Sequence, residues 1–358
     1  MTDLFSPLAL RPSITAKNRI WLAPLTNMQS HQDGTCSEQE ARFLGMRADG
    51  GFGLVTTCAA FVSQDGKAWP GELGVHDDAM IPGLTRLASR IQDAGSIGSV
   101  QLFHGGHRAD PSVSGILPWS ASSLVEQGKE VAREATLVDI DEAIAAFGAA
   151  ASRCAKAGFQ ALELHGAHGY LLSQFLSTTF NRREGAWGGK LAHRARLLRE
   201  VTRLVRKAAP DVALIVRLSP EDFGQAKGLD LDETLQVAKW LLEDGVDVLH
   251  LSLWRAAHNT TKYPEVHPTA FFRKELGSDA KLVVAGAIWT REEAEAQLAL
   301  GADAVALGRS AIGNHDWPLR VARGEEVARA PFTAAHLEAE GLSPGFVGYM
   351  GKWKGFVA

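Results

Sequence analysis

Ala161-Leu-Glu-Leu-His-Gly-Ala-His-Gly-Tyr-Leu-Leu172 carries one complete structural unit in miniature. A short apolar run, long enough for a strand, gives way to glycines and polar heads, and a second apolar run opens behind them. The same punctuation recurs along the chain. Apolar runs rich in Val, Ile and Leu predict strands at Ile20 to Leu25, Gly53 to Phe61, Ile97 to Phe103, Ala161 to His165, Val212 to Leu218, Val246 to Leu253, Lys281 to Ala287 and Ala304 to Gly308. Most are nearly continuous in their hydrophobicity, as parallel strands covered by helices require.

Between them, apolar residues recur at helical spacing, as in Ala143 to Ala157, Arg194 to Ala208, Leu231 to Glu243 and Glu292 to Leu300. Ser37 with Glu40, Asp230 with Glu233 and Thr290 with Glu293 have the spacing of a capping box, while Gly158, Gly245 and Gly301 stand where helices should stop. Eight strand-helix units favour an α/β fold of the TIM (β/α)8 barrel type, one domain over residues 1–358, with an open doubly wound sheet as the rival. Three connections exceed simple turns: His104 to Asp139, Leu172 to His193 and Trp254 to His267, after strands 3, 4 and 6. Barrel enzymes place their chemistry on such loops, so these three are expected to wall the site.

Composition sets outer bounds. With 46% apolar and 22% charged residues the chain has material for a large core. A net charge of -4 without a basic run argues against nucleic acid and anionic membranes. Cys36, Cys58 and Cys154 are scattered and odd in number, which speaks against a disulfide framework or a structural zinc site. No apolar stretch approaches the ~20 residues of a membrane helix, and the start lacks a secretory pattern, so a cytoplasmic location is expected.

His165, His168 and Tyr170 put two hydrogen-bond donors and a phenolic acid together at one strand end, a set able to polarise a substrate and then protonate it. Gly286 and Gly308, ending the last two strands, and Arg309 suit a phosphate, because backbone N–H groups there can approach an anion. Strand-end glycines can also serve turning alone. Arg217 in Ile215-Val-Arg-Leu-Ser219 needs an anionic partner, which a reduced flavin would supply at its N1/C2 carbonyl edge; a structural ion pair with a strand-end acid such as Glu163 is the alternative. Gln101, a polar residue in an apolar strand, could pair with a pyrimidine-like ring edge or bond internally. His104-Gly-Gly-His107 and His165-Gly-Ala-His168 also admit a metal reading, but neither run offers a convincing third ligand, and no metal is expected.

The run from Leu164 to Ser177, followed by Asn181-Arg-Arg183 and Gly188-Gly189, resembles the Old Yellow Enzyme family of flavin-dependent ene-reductases, as do Asn18 to Thr26, Gln101, Arg217 and the late glycines. The resemblance covers nearly the whole chain and implies a barrel holding FMN non-covalently. It implies that NAD(P)H reduces the flavin and that an electron-poor alkene, an α,β-unsaturated carbonyl or nitro compound, reoxidises it, both using one pocket by turns in a ping-pong scheme. Pro24, Leu25, Thr26 and Ala59 would line the flavin ring, Gln101 and Arg217 hold its pyrimidine portion, and Gly286, Gly308 and Arg309 take the phosphate. His165 and His168 would both donate to the substrate's oxygen, and Tyr170 would protonate the α-carbon. The sequence departs from the family at Glu184-Gly-Ala-Trp-Gly-Gly-Lys190 and pairs Thr26 with two histidines, a mixture of two branches. A related flavin barrel acting on amines or another small molecule, or a non-catalytic flavin-binding barrel, are the alternatives; assembly into a homo-oligomer is compatible with all of them. Trp187, Trp254, Tyr263, Tyr349 and Trp353 are expected mainly as packing or loop anchors.

Overall fold

Continuous apolar runs at the expected positions form eight parallel strands: β1 (Ile20–Leu22), β2 (Leu54–Phe61), β3 (Ile97–Phe103), β4 (Ala161–Gly166), β5 (Ala213–Leu218), β6 (Val248–Ser252), β7 (Lys281–Ala285) and β8 (Ala304–Leu307). The computed structural model describes residues 3–358. In it the strands pair in sequence order and β8 closes on β1, so the barrel prevails over the open sheet. Strand β1 is shorter than its apolar run suggests because Pro24 has no N–H to continue the ladder.

Outer helices follow each strand: α1 (Glu38–Asp49), α2 (Ile81–Gln92), α3 (Leu137–Lys156), α4 (Arg196–Ala208), α5 (Leu231–Glu243), α6 (Pro268–Leu276), α7 (Arg291–Ala299) and α8 (Trp317–Ala322). Thr290 forms a full capping box with Glu293, whereas at Ser37 only half of it exists. There the Glu40 side chain turns inward to accept from Asn27 and Ser30. Among the described residues no helix is long and apolar enough to cross a membrane.

Side-chain alternation sorts the barrel into an outer apolar shell and a layered interior. Leu162, Leu164, Val216 and Leu218 face the helices, while Ala161, Ala213, Ile215 and Val248 fill the lower interior. An antiparallel hairpin, Leu8–Arg11 with Ile14–Ala16, plugs that end with Leu8, Leu10, Ile14 and Ala16. Two residues further up, the same inward-facing rows become polar. Gln101 lies in register with Glu163, and Arg217 lies between His165 and His250. A register shift between Thr56 and Ala59 in β2 then brings Ala59 beside Gln101.

The long loops are less bare than their composition suggests. Residues 104–136 hold a helical turn at Pro111–Ser114 and a three-stranded sheet (Trp119–Ser120, Leu124–Glu126, Lys129–Glu134), and Leu171–Leu176 is helical.

Candidate active site

Where β4 ends, His165 and His168 converge. His168 takes a positive φ of 61°, its N–H donates to Ser219 Oγ at 3.0 Å, and its Nδ1 comes to 3.2 Å from His165 Nε2. Positive φ costs an ordinary residue energy and is held here by the surrounding bonds. Burial, reinforced by the charges of Arg217 and Arg108, holds both imidazoles well below their usual pKa, so both are neutral near pH 7. Tyr170 sits edge-on to Phe103 and to His165, with ring centroids 4.5 and 4.9 Å away. Its phenol is pushed up by burial, against the pull of Arg108, whose guanidinium lies 4.1 Å from the ring centre. Arg108 is fixed in turn by donating to the His168 carbonyl at 2.7 Å.

These groups open into a cavity of about 640 Å³, within the usual range for a cofactor site. All twelve residues singled out from the sequence line it: Pro24, Leu25, Thr26, Ala59, Gln101, His165, His168, Tyr170, Arg217, Gly286, Gly308 and Arg309. The walls differ from expectation. Of the loop 172–193 no residue lines the cavity; its first turn is the helix Leu171–Leu176, whose residues are all buried in the core. Phe223, Gly224 and Gln225 from the loop after β5 take its place, and Arg108 and Trp254 represent the other two long loops. Trp69 and Trp289 contribute from further strand-end loops, and Tyr349, Met350 and Trp353 close the wall from the C-terminal segment. Trp187 instead stacks under Arg196, and Tyr263 donates to Asp232.

Below the cavity lies a buried polar layer. Glu163 accepts from Gln101 Nε2 at 2.7 Å and bonds His250 Nδ1 at 2.8 Å. Burial pushes Glu163 up, but His250, Arg217 and Gln101 outweigh it and hold the carboxyl below its usual range. Glu163 is thus engaged by these two neighbours, and Arg217 forms no ion pair among the described residues. Its Nη2 donates to Ser252 Oγ at 2.9 Å while its buried Nε has no partner.

An FMN meets matching chemistry here. The unpartnered Arg217 Nε and the Gln101 carbonyl oxygen suit the pyrimidine edge of a flavin, where an anion and an N–H are adjacent. Arg309 lines the cavity beside Gly308, where an added Cβ would meet only Leu25 Cδ2, at 3.6 Å. The protein itself leaves that space open. Gly286 has a second reason to be glycine, since a Cβ there would come within 2.7 Å of the Leu253 carbonyl oxygen. His104 and His107 lie outside the cavity lining, packed against Trp119 and Phe180.

Sequence reading missed Arg108, Ser252 and Gln174. Gln174, fully buried, accepts from His107 N and Ser120 Oγ and donates to the carbonyls of Gly105 and Gly169. It ties the loop bearing Arg108 to the one bearing Tyr170. Its place in Leu171-Leu-Ser-Gln-Phe-Leu176, a polar residue in an apolar helix, was the available signal.

Comparison with known proteins converges on one group. Residues 3–327 match the profile of the NADH:flavin oxidoreductase / NADH oxidase family. A probable NADH-dependent flavin oxidoreductase of Bacillus subtilis is 34% identical over 334 residues, 90% of this chain and 88% of the relative. An NADH:fumarate oxidoreductase of Klebsiella pneumoniae is 31% identical over 90% of this chain, which spans only 36% of that larger protein. Among solved structures, an old yellow enzyme homologue from Zymomonas mobilis superposes with a TM-score of 0.83 at 29% identity, covering 96% of this chain and 98% of that one.

Proposed function

The chain belongs to the NADH:flavin oxidoreductase / NADH oxidase family, the Old Yellow Enzymes, and from that premise we propose that it reduces the activated C=C bonds of α,β-unsaturated carbonyl or nitro compounds. As a member it is an FMN-dependent oxidoreductase with NAD(P)H as reductant. We propose further that residues 1–358 act as one catalytic domain in the cytoplasm. The observation that carries the reading is the convergence of two neutral imidazoles and a protonated phenol on one cavity that also bears Arg217, Gln101 and Arg309.

FMN, when bound, supplies the hydride exchange with NAD(P)H and with the acceptor. The chain's own residues do the rest. Arg217 and Gln101 hold the pyrimidine edge, Gly286, Gly308 and Arg309 the phosphate, and Pro24, Leu25, Thr26 and Ala59 bound the ring. His165 and His168 donate to the acceptor's oxygen and stabilise the negative charge that grows on it. Tyr170 releases its phenolic proton to the α-carbon, and Arg108 stabilises the resulting phenolate. One pocket serving reductant and acceptor in succession makes the kinetics ping-pong.

Steady-state oxidation of NADPH and NADH with 2-cyclohexenone as acceptor, against parallel assays in which primary amines or dihydropyrimidines are the electron donors and an artificial dye is the acceptor, tests the reading. Turnover with the enone supports it; turnover confined to amines or dihydropyrimidines moves the chain to another flavin chemistry.

A further inference from the structure

Ser252, at the end of β6, is nearly fully buried and joins two parts of the site. Its Oγ lies 2.9 Å from Arg217 Nη2 and 2.6 Å from His168 Nε2. A guanidinium can only donate, so the serine oxygen accepts from Arg217. The hydroxyl proton then has one recipient among its hydrogen-bonded neighbours, His168 Nε2. A neutral imidazole that accepts at Nε2 carries its proton on Nδ1, the nitrogen that faces His165. On His165 the order is reversed. The Ala167 N–H donates, at a long 3.4 Å, to Nδ1, which leaves the proton on Nε2. With a proton on each, neither nitrogen can accept from the other across the 3.2 Å between them, and an oxygen within reach of both N–H groups satisfies both.

The opposite tautomer of His168 would donate from Nε2 to Ser252. It would leave the buried hydroxyl proton without a recipient and turn His168 Nδ1 into an acceptor for His165. The imidazoles would then satisfy each other, and the acceptor's oxygen would lose a donor. We propose that Ser252 is a positioning residue that fixes His168 as its Nδ1–H tautomer, completing a two-donor hole tied through Arg217 to the flavin edge. The proposal rests on the reading of His165 and His168 as the oxygen-binding pair. Burial and the charge of Arg217 keep both rings neutral, which lets the tautomer matter.

The test uses FMN-loaded wild type, Ser252→Ala and Ser252→Thr, each with ¹⁵N-labelled histidine and with p-nitrophenol as the oxygen-bearing probe. Nitrogen shifts report the tautomer, probe absorbance its ionisation, and 2-cyclohexenone turnover the kinetic effect. In wild type His168 should be protonated on Nδ1. Alanine should shift it toward Nε2–H, weaken ionisation of the probe, and lower kcat/KM about 10- to 100-fold while FMN stays bound. Threonine, which keeps the hydroxyl, should restore all three. An Nε2–H signal for His168 in the wild-type complex overturns the proposal on its own, even if the alanine variant does not fold. So does an alanine variant with unchanged tautomer, or a flavin-loaded threonine variant no better than alanine. Absence of enone reduction by wild type would defeat the ene-reductase reading instead, and the tautomer signals would still decide this one.

Discussion

Tyr170 must keep its proton while His165 and His168 must not gain one, and the same burial serves both needs. It raises the phenol above its ordinary value near 10 and depresses both imidazoles below theirs near 6.5. The working protonation state therefore spans the neutral range. We expect kcat/KM for an enone to be flat from about pH 6.5 to 9 and to fall only as pH rises through the elevated phenol pKa. An acid limb centred at the ordinary imidazole value would contradict this. The imidazole shifts also bear on stability. Below about pH 6.5 the unfolded chain binds protons that the native one refuses, so urea midpoints should decline as pH falls through that value. Replacing Tyr170 with Phe removes the proton donor and keeps the packing, so reduction of poorly activated enones should drop about 100-fold or more with flavin content unchanged. Loss of flavin in that variant would contradict the role assigned to the phenol.

At the scale of elements, the site depends on how loops after β3 and β4 are joined, and Gln174 is the joint. Gln174→Leu conserves volume but leaves the Gly169 carbonyl and the His107 N–H without this partner, and leaves the Gly105 carbonyl only the Arg108 N–H and the Ser120 hydroxyl only His107 Nδ1. Thermal or urea unfolding should show a loss of about 2–4 kcal/mol, with kcat/KM falling as Arg108 and Tyr170 lose their mutual placement. A variant as stable and active as wild type would mean that the loops hold without it. The same scale shows what was legible in the sequence. The barrel strands were readable because parallel strands buried on both faces are nearly continuous in their apolar residues, as Ala304–Leu307 is throughout and Ala213–Leu218 is but for Arg217. The hairpin Leu8–Arg11 with Ile14–Ala16 was not, since strands of four and three residues carry too little periodicity. Lys129–Glu134 reads as a polar loop, yet its strand forms because its neighbours complete a small sheet away from the barrel. The histidines and tyrosine were legible because they share one strand end. Ser252 and Arg108 were not, because only the closed barrel brings residues 84 and 60 positions away against His168.

On the scale of the whole molecule, the cavity's outer wall comes from the C-terminal segment, and a buried arginine in α1 holds that segment in place. Arg47 donates to the carbonyls of Glu340 at 2.7 Å, Ile312 at 2.9 Å, Phe43 at 3.0 Å and Ala311 at 3.2 Å. Phe43 also meets Phe346 edge-on at 5.4 Å. Arg47→Met takes this donor from the carbonyls of Glu340, Ile312 and Ala311, while Phe43 keeps its helical bond, and we expect a loss of about 2–4 kcal/mol together with a raised KM, because Tyr349, Met350 and Trp353 lie in the segment released. An unchanged KM in a destabilised variant would separate the wall from the anchor. The barrel, its plugged base, its polar middle layer and this outer wall converge on one claim: the open end holds an FMN that NAD(P)H reduces and an electron-poor alkene reoxidises. The most direct test is anaerobic visible spectroscopy of the purified, FMN-loaded protein. The flavin bands should bleach on adding NADPH or NADH and return in full on adding 2-cyclohexenone. A protein that retains no flavin, or whose reduced flavin is left bleached by the enone, would contradict that claim.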